Sequence, residues 1–162
     1  MMGDLNETQV FILVRNHLLE NNWQVIGGQP PSGTDHLPVI EIRDPMYKGK
    51  GSKGSYKPDL IAWYESKLII IELKPSFSQP DRNKVNQVLN SPERTKSLWE
   101  SLIQRNLTLG KYGHISEVRA NSRVVGGLGY GGTKVNHPEL WRFFVNAGKV
   151  EVTPGTFTAE VN

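Results

Sequence analysis

The sequence predicts a single α/β domain over residues 1–162, with a central mixed β-sheet flanked by helices. Three observations point there. The chain has 162 residues, the size of one compact domain. Apolar residues recur at helical spacing near the N-terminus and again beyond residue 91. Between these segments, LIAWY and KLIIIEL are rich in β-branched and aromatic residues and apolar on both faces, as strands covered on both sides must be.

The first helix is expected from about Glu7 to Glu20, because Val10, Phe11, Val14 and Leu18 fall on one face. Asn6 is placed to cap it, with Gln9 at the reciprocal capping-box position, Leu5 and Val10 as a hydrophobic staple, and Asn21-Asn22 as its end. Short strands are expected at Trp23 to Ile26 and at Pro38 to Arg43, on either side of the turn-rich GGQPPSGTD. Leu60 to Tyr64 and Lys67 to Leu73 then form a hairpin about Glu65-Ser66. Because Glu-Ser is not the Asn-Gly type that favours a two-residue turn, a four-residue loop on the same register is equally open.

Beyond the hairpin, Asp81 to Asn90 reads as one helix, and Ser91-Pro92-Glu93 supplies the N-cap, N1 proline and first-turn acid of another reaching about Asn106. Leu98, Trp99, Leu102 and Ile103 give that helix its apolar face. The motif-bearing part thus covers about residues 5–106, followed by a β-rich part over 107–162. Val124-Val125 precedes GGLGYGGTK, which resembles a dinucleotide loop only loosely. The following TKVNHP does not start a helix, so the glycine-rich stretch is expected to be a plain loop. Trp141 to Val145 and Lys149 to Val152 form a C-terminal hairpin about Asn146-Ala147-Gly148. Trp63, Trp99 and Trp141 are expected in the core.

Composition excludes several classes of function. With 37% hydrophobic and 22% charged residues, global disorder is not the expected state. The absence of cysteine removes disulfide scaffolds, cysteine nucleophiles and thiolate metal sites. His17, His36, His114 and His137 lack the spacing of a helical zinc site. No apolar run approaches the roughly 18 residues of a membrane helix. The acidic MMGDLNE start is unlike a secretory leader, so no membrane partner and a cytoplasmic location are expected.

The net charge of +3 is concentrated in one place. From Pro45 to Pro58 the chain reads PMYKGKGSKGSYKP, with Lys48, Lys50, Lys53 and Lys57 and no acid, so the remainder is close to neutral. A glycine-rich basic loop over 45–58 suits a polyanion whose phosphates its lysines can neutralise.

That loop leads into the residues with the most chemistry. Pairing the hairpin about Glu65-Ser66 sets Asp59 opposite Glu72, where cross-strand Cβ atoms approach to about 4.5–5.5 Å. Strand alternation puts Glu72 and Lys74 on one face and Leu73 on the other. Two adjacent carboxylates repel, whereas a divalent cation between them reverses the sign of the interaction. Oxygen ligands favour Mg²⁺, with Mn²⁺ as a substitute. A lysine beside them can orient water or stabilise charge on a phosphate, so the set suits metal-assisted phosphodiester hydrolysis.

Pro58-Asp59, twelve residues, then Glu72-Leu73-Lys74 resembles the signature of the PD-(D/E)XK, restriction-endonuclease-like nuclease superfamily. The resemblance covers residue 7 to about residue 90. It implies a restriction-endonuclease-like fold, Asp59 and Glu72 as metal ligands, Lys74 as the catalytic lysine, and Glu7 on the preceding helix as an additional acid near the metal. In some branches a glutamine on the following helix takes part, and Gln87 is the candidate here.

The expected function is therefore a Mg²⁺-dependent endonuclease acting on DNA, duplex or branched, with Lys48, Lys50, Lys53 and Lys57 contacting the backbone. Lysines and glycines suit phosphate contact better than base reading. A homodimer is compatible with cutting both strands. The alternative is a nucleic-acid-binding module on the same fold without turnover.

Overall fold

A computed structural model describes residues 5–31, 35–46 and 55–160. One mixed sheet runs through it in the order β1 (Gln24–Gly28), β2 (Leu60–Tyr64), β3 (Lys67–Ser76), β4 (Arg123–Gly131), β5 (Trp141–Asn146) and β6 (Lys149–Thr153). A two-residue β7 (Ala159–Glu160) pairs with the start of β4. The β1–β2–β3 and β5–β6 pairs are antiparallel, while β3–β4 and β4–β5 are parallel. A parallel neighbour needs a long crossover, and the segment between β3 and β4 supplies it with α2 (Gln79–Leu89), α3 (Pro92–Gln104) and a short α4 (Ile115–Val118).

Two apolar layers sandwich the sheet. Val10, Phe11, Val14 and Leu18 of α1 (Glu7–Glu20) pack on Leu60, Ala62, Ile69, Ile71 and Leu73. Val85, Val88, Leu98, Trp99 and Leu102 of α2 and α3 pack on Ile61, Trp63, Leu68 and Ile70. Burying a side chain of this kind contributes roughly 1.5–3 kcal/mol, more than the typical ~1 kcal/mol of a good N-cap. Packing therefore holds α1 in place, and the cap sets where it begins. Both capping-box bonds form at 2.8 Å, between Asn6 and Gln9, which fixes Glu7 as the first helical residue. At the far end Asn22 adopts φ 69° and turns the chain out of the helix.

The hairpin expectations hold. Glu65 and Ser66 form the two-residue turn with φ of 44° and 67°, and the register runs from Tyr64↔Lys67 to Leu60↔Ile71. The second hairpin turns at Ala147-Gly148, with φ of 52° and 75°. Ser91 caps α3 as expected. Trp63 and Trp99 are buried and Trp141 is half-buried.

Four expectations are corrected. The first strand starts at Gln24 and continues to Gly28. Pro38 to Arg43 is not a strand: among the described residues it pairs only at Ile42, in a single bridge to Tyr56. The helix expected from Asp81 begins at Gln79, because Ser78 is its N-cap and Pro80 lies in the first turn, where proline is tolerated. GGLGYG is not a loop but the interior of β4, central in the sheet. Its glycines reflect close packing from both layers: a Cβ at Gly126 would strike Val85, and one at Gly129 would lie 2.5 Å from Leu73 Cδ2.

Helix α2 is tied down from outside the sheet. Arg82 donates to both carboxylate oxygens of Glu139 at 2.7 and 2.8 Å, and Asn86 adds a third bond at 2.9 Å. These donors hold the Glu139 carboxyl at a pKa of about 2.

Candidate active site

The β2–β3 register, continued one residue beyond Leu60↔Ile71, brings Asp59 alongside Glu72 at the end of the hairpin. Asp59 Oδ2 accepts a 2.8 Å hydrogen bond from the Leu73 main-chain N–H, so the carboxylate is fixed to β3 between Glu72 and Lys74. Its backbone is held from the other side. The Gln29 N–H donates to the Pro58 and Asp59 carbonyls, at 3.1 Å each. Gly28, at φ 153°, permits that approach, because a Cβ there would collide with the Asp59 carbonyl oxygen. The Gly27-Gly28 pair ending β1 was the sequence signal for this contact.

Glu72 is only 4% exposed. Burial, and the Asp59 carboxylate within hydrogen-bonding reach, push its carboxyl up to about 9. Beside the pair lies Tyr56, whose hydroxyl is shielded from solvent and interacts with the Glu72 carboxyl. Burial and then the Glu72 charge raise the Tyr56 phenol well above its ordinary range. Two acids crowded together in this way are electrostatically costly as structure alone.

Lys74 extends from the end of β3, between the first turns of α1 and α2. Its Nζ lies 3.4 Å from Glu7 Oε1 and 3.9 Å from Asp81 Oδ2. Partial burial works against its charge, but Asp81 and Glu7 outweigh that and raise its pKa. Asp81 was missed in the sequence. Placed at a helix start it resembles an ordinary first-turn acid; its signal was the row Asp81, Val85 and Val88, an acid on the buried stripe of α2. Lys84 completes the surroundings, with Nζ 3.9 Å from Asp81 Oδ1 and 5.3 Å over the Tyr56 ring.

Of the expected residues, Asp59, Glu72, Lys74 and Glu7 come together. Glu7 and Asp59 line one cavity of about 210 Å³ with Phe11, Gln29, Pro31 and Leu73, but the contact Glu7 makes is with Lys74. Among the described residues no three acids or histidines are grouped to hold one ion, so the carboxylate pair is Asp59 and Glu72. Gln87 is not brought to the site: it is exposed, and six residues beyond Asp81 at about 100° each turn it to the outer side of α2. Lys57 is half-buried just before Pro58-Asp59, while Lys48, Lys50 and Lys53 lie outside the described residues.

A larger cavity, about 1040 Å³, opens beside this cluster between α1, Pro75-Ser76 and the β5–β6 turn. Among the described residues its lining includes no titratable side chain. His137 is buried in the opposite layer, its Nε2 2.9 Å from the Tyr130 hydroxyl, as a packing residue. No helix among the described residues is long and apolar enough to cross a membrane.

Comparison of the chain with protein-family models, with curated proteins and with solved structures finds no match.

Proposed function

We propose that this protein is a metal-dependent endonuclease hydrolysing DNA phosphodiester bonds through a PD-(D/E)XK arrangement of Asp59, Glu72 and Lys74, on a restriction-endonuclease-like domain. One observation carries the proposal: a buried Glu72 carboxyl in contact with the half-buried carboxylate of Asp59, at the end of otherwise apolar strands and next to a lysine held by an acid.

The donor set fits a hard divalent cation. Mg²⁺ binds through one or two carboxylates and completes its shell with waters and substrate phosphate, so Asp59 and Glu72 suffice as protein ligands. Their crowding is the kind of repulsion such an ion relieves. When bound, Mg²⁺ or Mn²⁺ would activate a water and polarise a phosphoryl oxygen. The chain supplies the rest. Asp59, clamped by the Leu73 N–H, keeps its remaining lone pairs aimed at the site. Glu72 would hold the ion as a carboxylate and so would give up its proton on binding it. Lys74, oriented by Glu7, provides a fixed positive charge for the attacking water or for the developing charge on phosphate.

Lys57, and with it Lys48, Lys50 and Lys53, would bind the phosphate backbone by counterion release. Cleavage of both strands would require two copies of the site and hence a homodimer.

The test is incubation of the protein with labelled duplex, single-stranded and branched DNA and with RNA, with Mg²⁺, Mn²⁺ or EDTA. Metal-dependent cleavage abolished in Glu72→Ala is expected. Binding without cleavage by wild type would replace the nuclease by a nucleic-acid-binding module.

A further inference from the structure

We propose that Asp81 is a positioning residue, whose buried carboxylate in the first turn of α2 holds the Lys74 ammonium beside the Asp59–Glu72 pair. The inference rests on the nuclease reading for its catalytic consequence, but not for the contact itself.

Asp81 is only 5% exposed, and among the described residues its Oδ2 finds no hydrogen-bond partner. Two cations approach it, Lys74 on Oδ2 and Lys84 on Oδ1, both at 3.9 Å and so beyond hydrogen-bonding distance. A purely structural origin accounts poorly for this. The Asp81 N–H is already capped by the Ser78 hydroxyl at 3.2 Å, and the favourable dipole at a helix start offsets only part of the penalty of shielding a carboxylate whose cations stand beyond hydrogen-bonding distance. Of the two lysines at equal distance, Lys74 is the one held also by Glu7 and adjacent to the Asp59–Glu72 pair.

Lys74 needs such a hold. Its ammonium is a compact charge on a flexible stem and is half-exposed, leaving the sheet where the β3–β4 register breaks between Leu73 and Ser76. Glu7 grips it from α1, but that carboxylate is itself 48% exposed and screened by solvent. Asp81, on the other side and in a lower-dielectric setting, is the stronger anchor. The Arg82–Glu139 fork, one residue along α2, fixes the helix and with it the carboxylate.

The experiment uses the full chain as wild type, Asp81→Asn, Asp81→Glu and Lys74→Ala. Three quantities are read: steady-state cleavage of labelled duplex with Mg²⁺, thermal melting, and the ¹⁵N signal of the Lys74 ammonium, assigned by its loss in Lys74→Ala. Expected for Asp81→Asn is a fall in kcat of about 10- to 100-fold with KM changed less than about twofold. Its melting temperature should be unchanged or raised, and the Lys74 ammonium signal should be lost. Asp81→Glu should recover part of the rate. Wild-type kcat in Asp81→Asn, an unchanged ammonium signal, or a loss of rate matched by a loss of melting temperature would each overturn the proposal. If wild type cleaves nothing, the nuclease reading fails, and the ammonium signal alone decides whether Asp81 holds Lys74.

Discussion

The main-chain N–H of Leu73 donates a 2.8 Å hydrogen bond to Asp59 Oδ2, joining the residue that precedes β2 to the centre of the Glu72-Leu73-Lys74 triplet. The bond makes the separation of the two carboxyls a property of the hairpin register and leaves Asp59 little freedom to relax away from Glu72. That explains why Glu72 meets burial and a neighbouring acid together and has its carboxyl raised to about 9.

Stability should fall with pH because of Glu72. Its folded-state pKa lies above the ordinary carboxyl value of 4.5, so from about 4.5 to about 9 the native state holds a proton that the unfolded chain has released. Stability therefore decreases as pH rises through that window, at most by about 1.4 kcal/mol per pH unit, and levels off above it. Denaturant titrations in EDTA across the window should show a slope that Glu72→Gln removes. Equal slopes in the two proteins would refute the assignment.

The same proton should couple to metal. Binding requires the deprotonated carboxylate, so near neutral pH each Mn²⁺ bound should release about one proton. Calorimetry in buffers of different ionisation enthalpy measures that number directly. Zero protons released on binding would mean that Glu72 is not a ligand.

The β2–β3 turn should be improvable. Glu65 and Ser66 both occupy the left-handed region, which costs roughly 1–2 kcal/mol per ordinary residue, and Asn-Gly is the pair suited to this turn. The double substitution Glu65→Asn with Ser66→Gly should stabilise the fold by about 1–2 kcal/mol without changing function. Chemical denaturation reads the gain; a net loss would show that another contact sustains the native turn.

Gly28→Ala should act on both stability and site. The added methyl meets the Asp59 carbonyl at a backbone angle that disfavours a side chain, so about 1–3 kcal/mol of stability should be lost. Any cleavage activity should fall further than that of a comparably destabilised core variant, because Asp59 must shift. Equal effects on both measures would detach Gly28 from the site.

What the sequence made legible follows local physics. The cap at Asn6, the hairpin register and the Asp59–Glu72 pairing are set by residues within about fifteen positions of one another, and each appears in the structure. What it hid depends on tertiary packing. GGLGYG looks like a loop because glycine weakens an isolated strand, yet it forms β4 where side chains from both helical layers occupy the missing Cβ positions. Asp81 stands in the first turn of α2, where an acid reads as an ordinary helix-start residue, and Gln87, implied only by the resemblance, is exposed on the outer side of that helix. The pairing of Ile42 with Tyr56 spans the lysine-rich loop and has no local signature.

The most direct test is the initial rate of plasmid nicking in Mg²⁺ by wild type and Asp59→Ala, measured in parallel on proteins with matched folding. Nicking by wild type that stops in EDTA and falls at least about 10³-fold in Asp59→Ala is the predicted result. Equal nicking by the two proteins, or none by wild type with any divalent metal, would contradict a nuclease site built on Asp59 and Glu72.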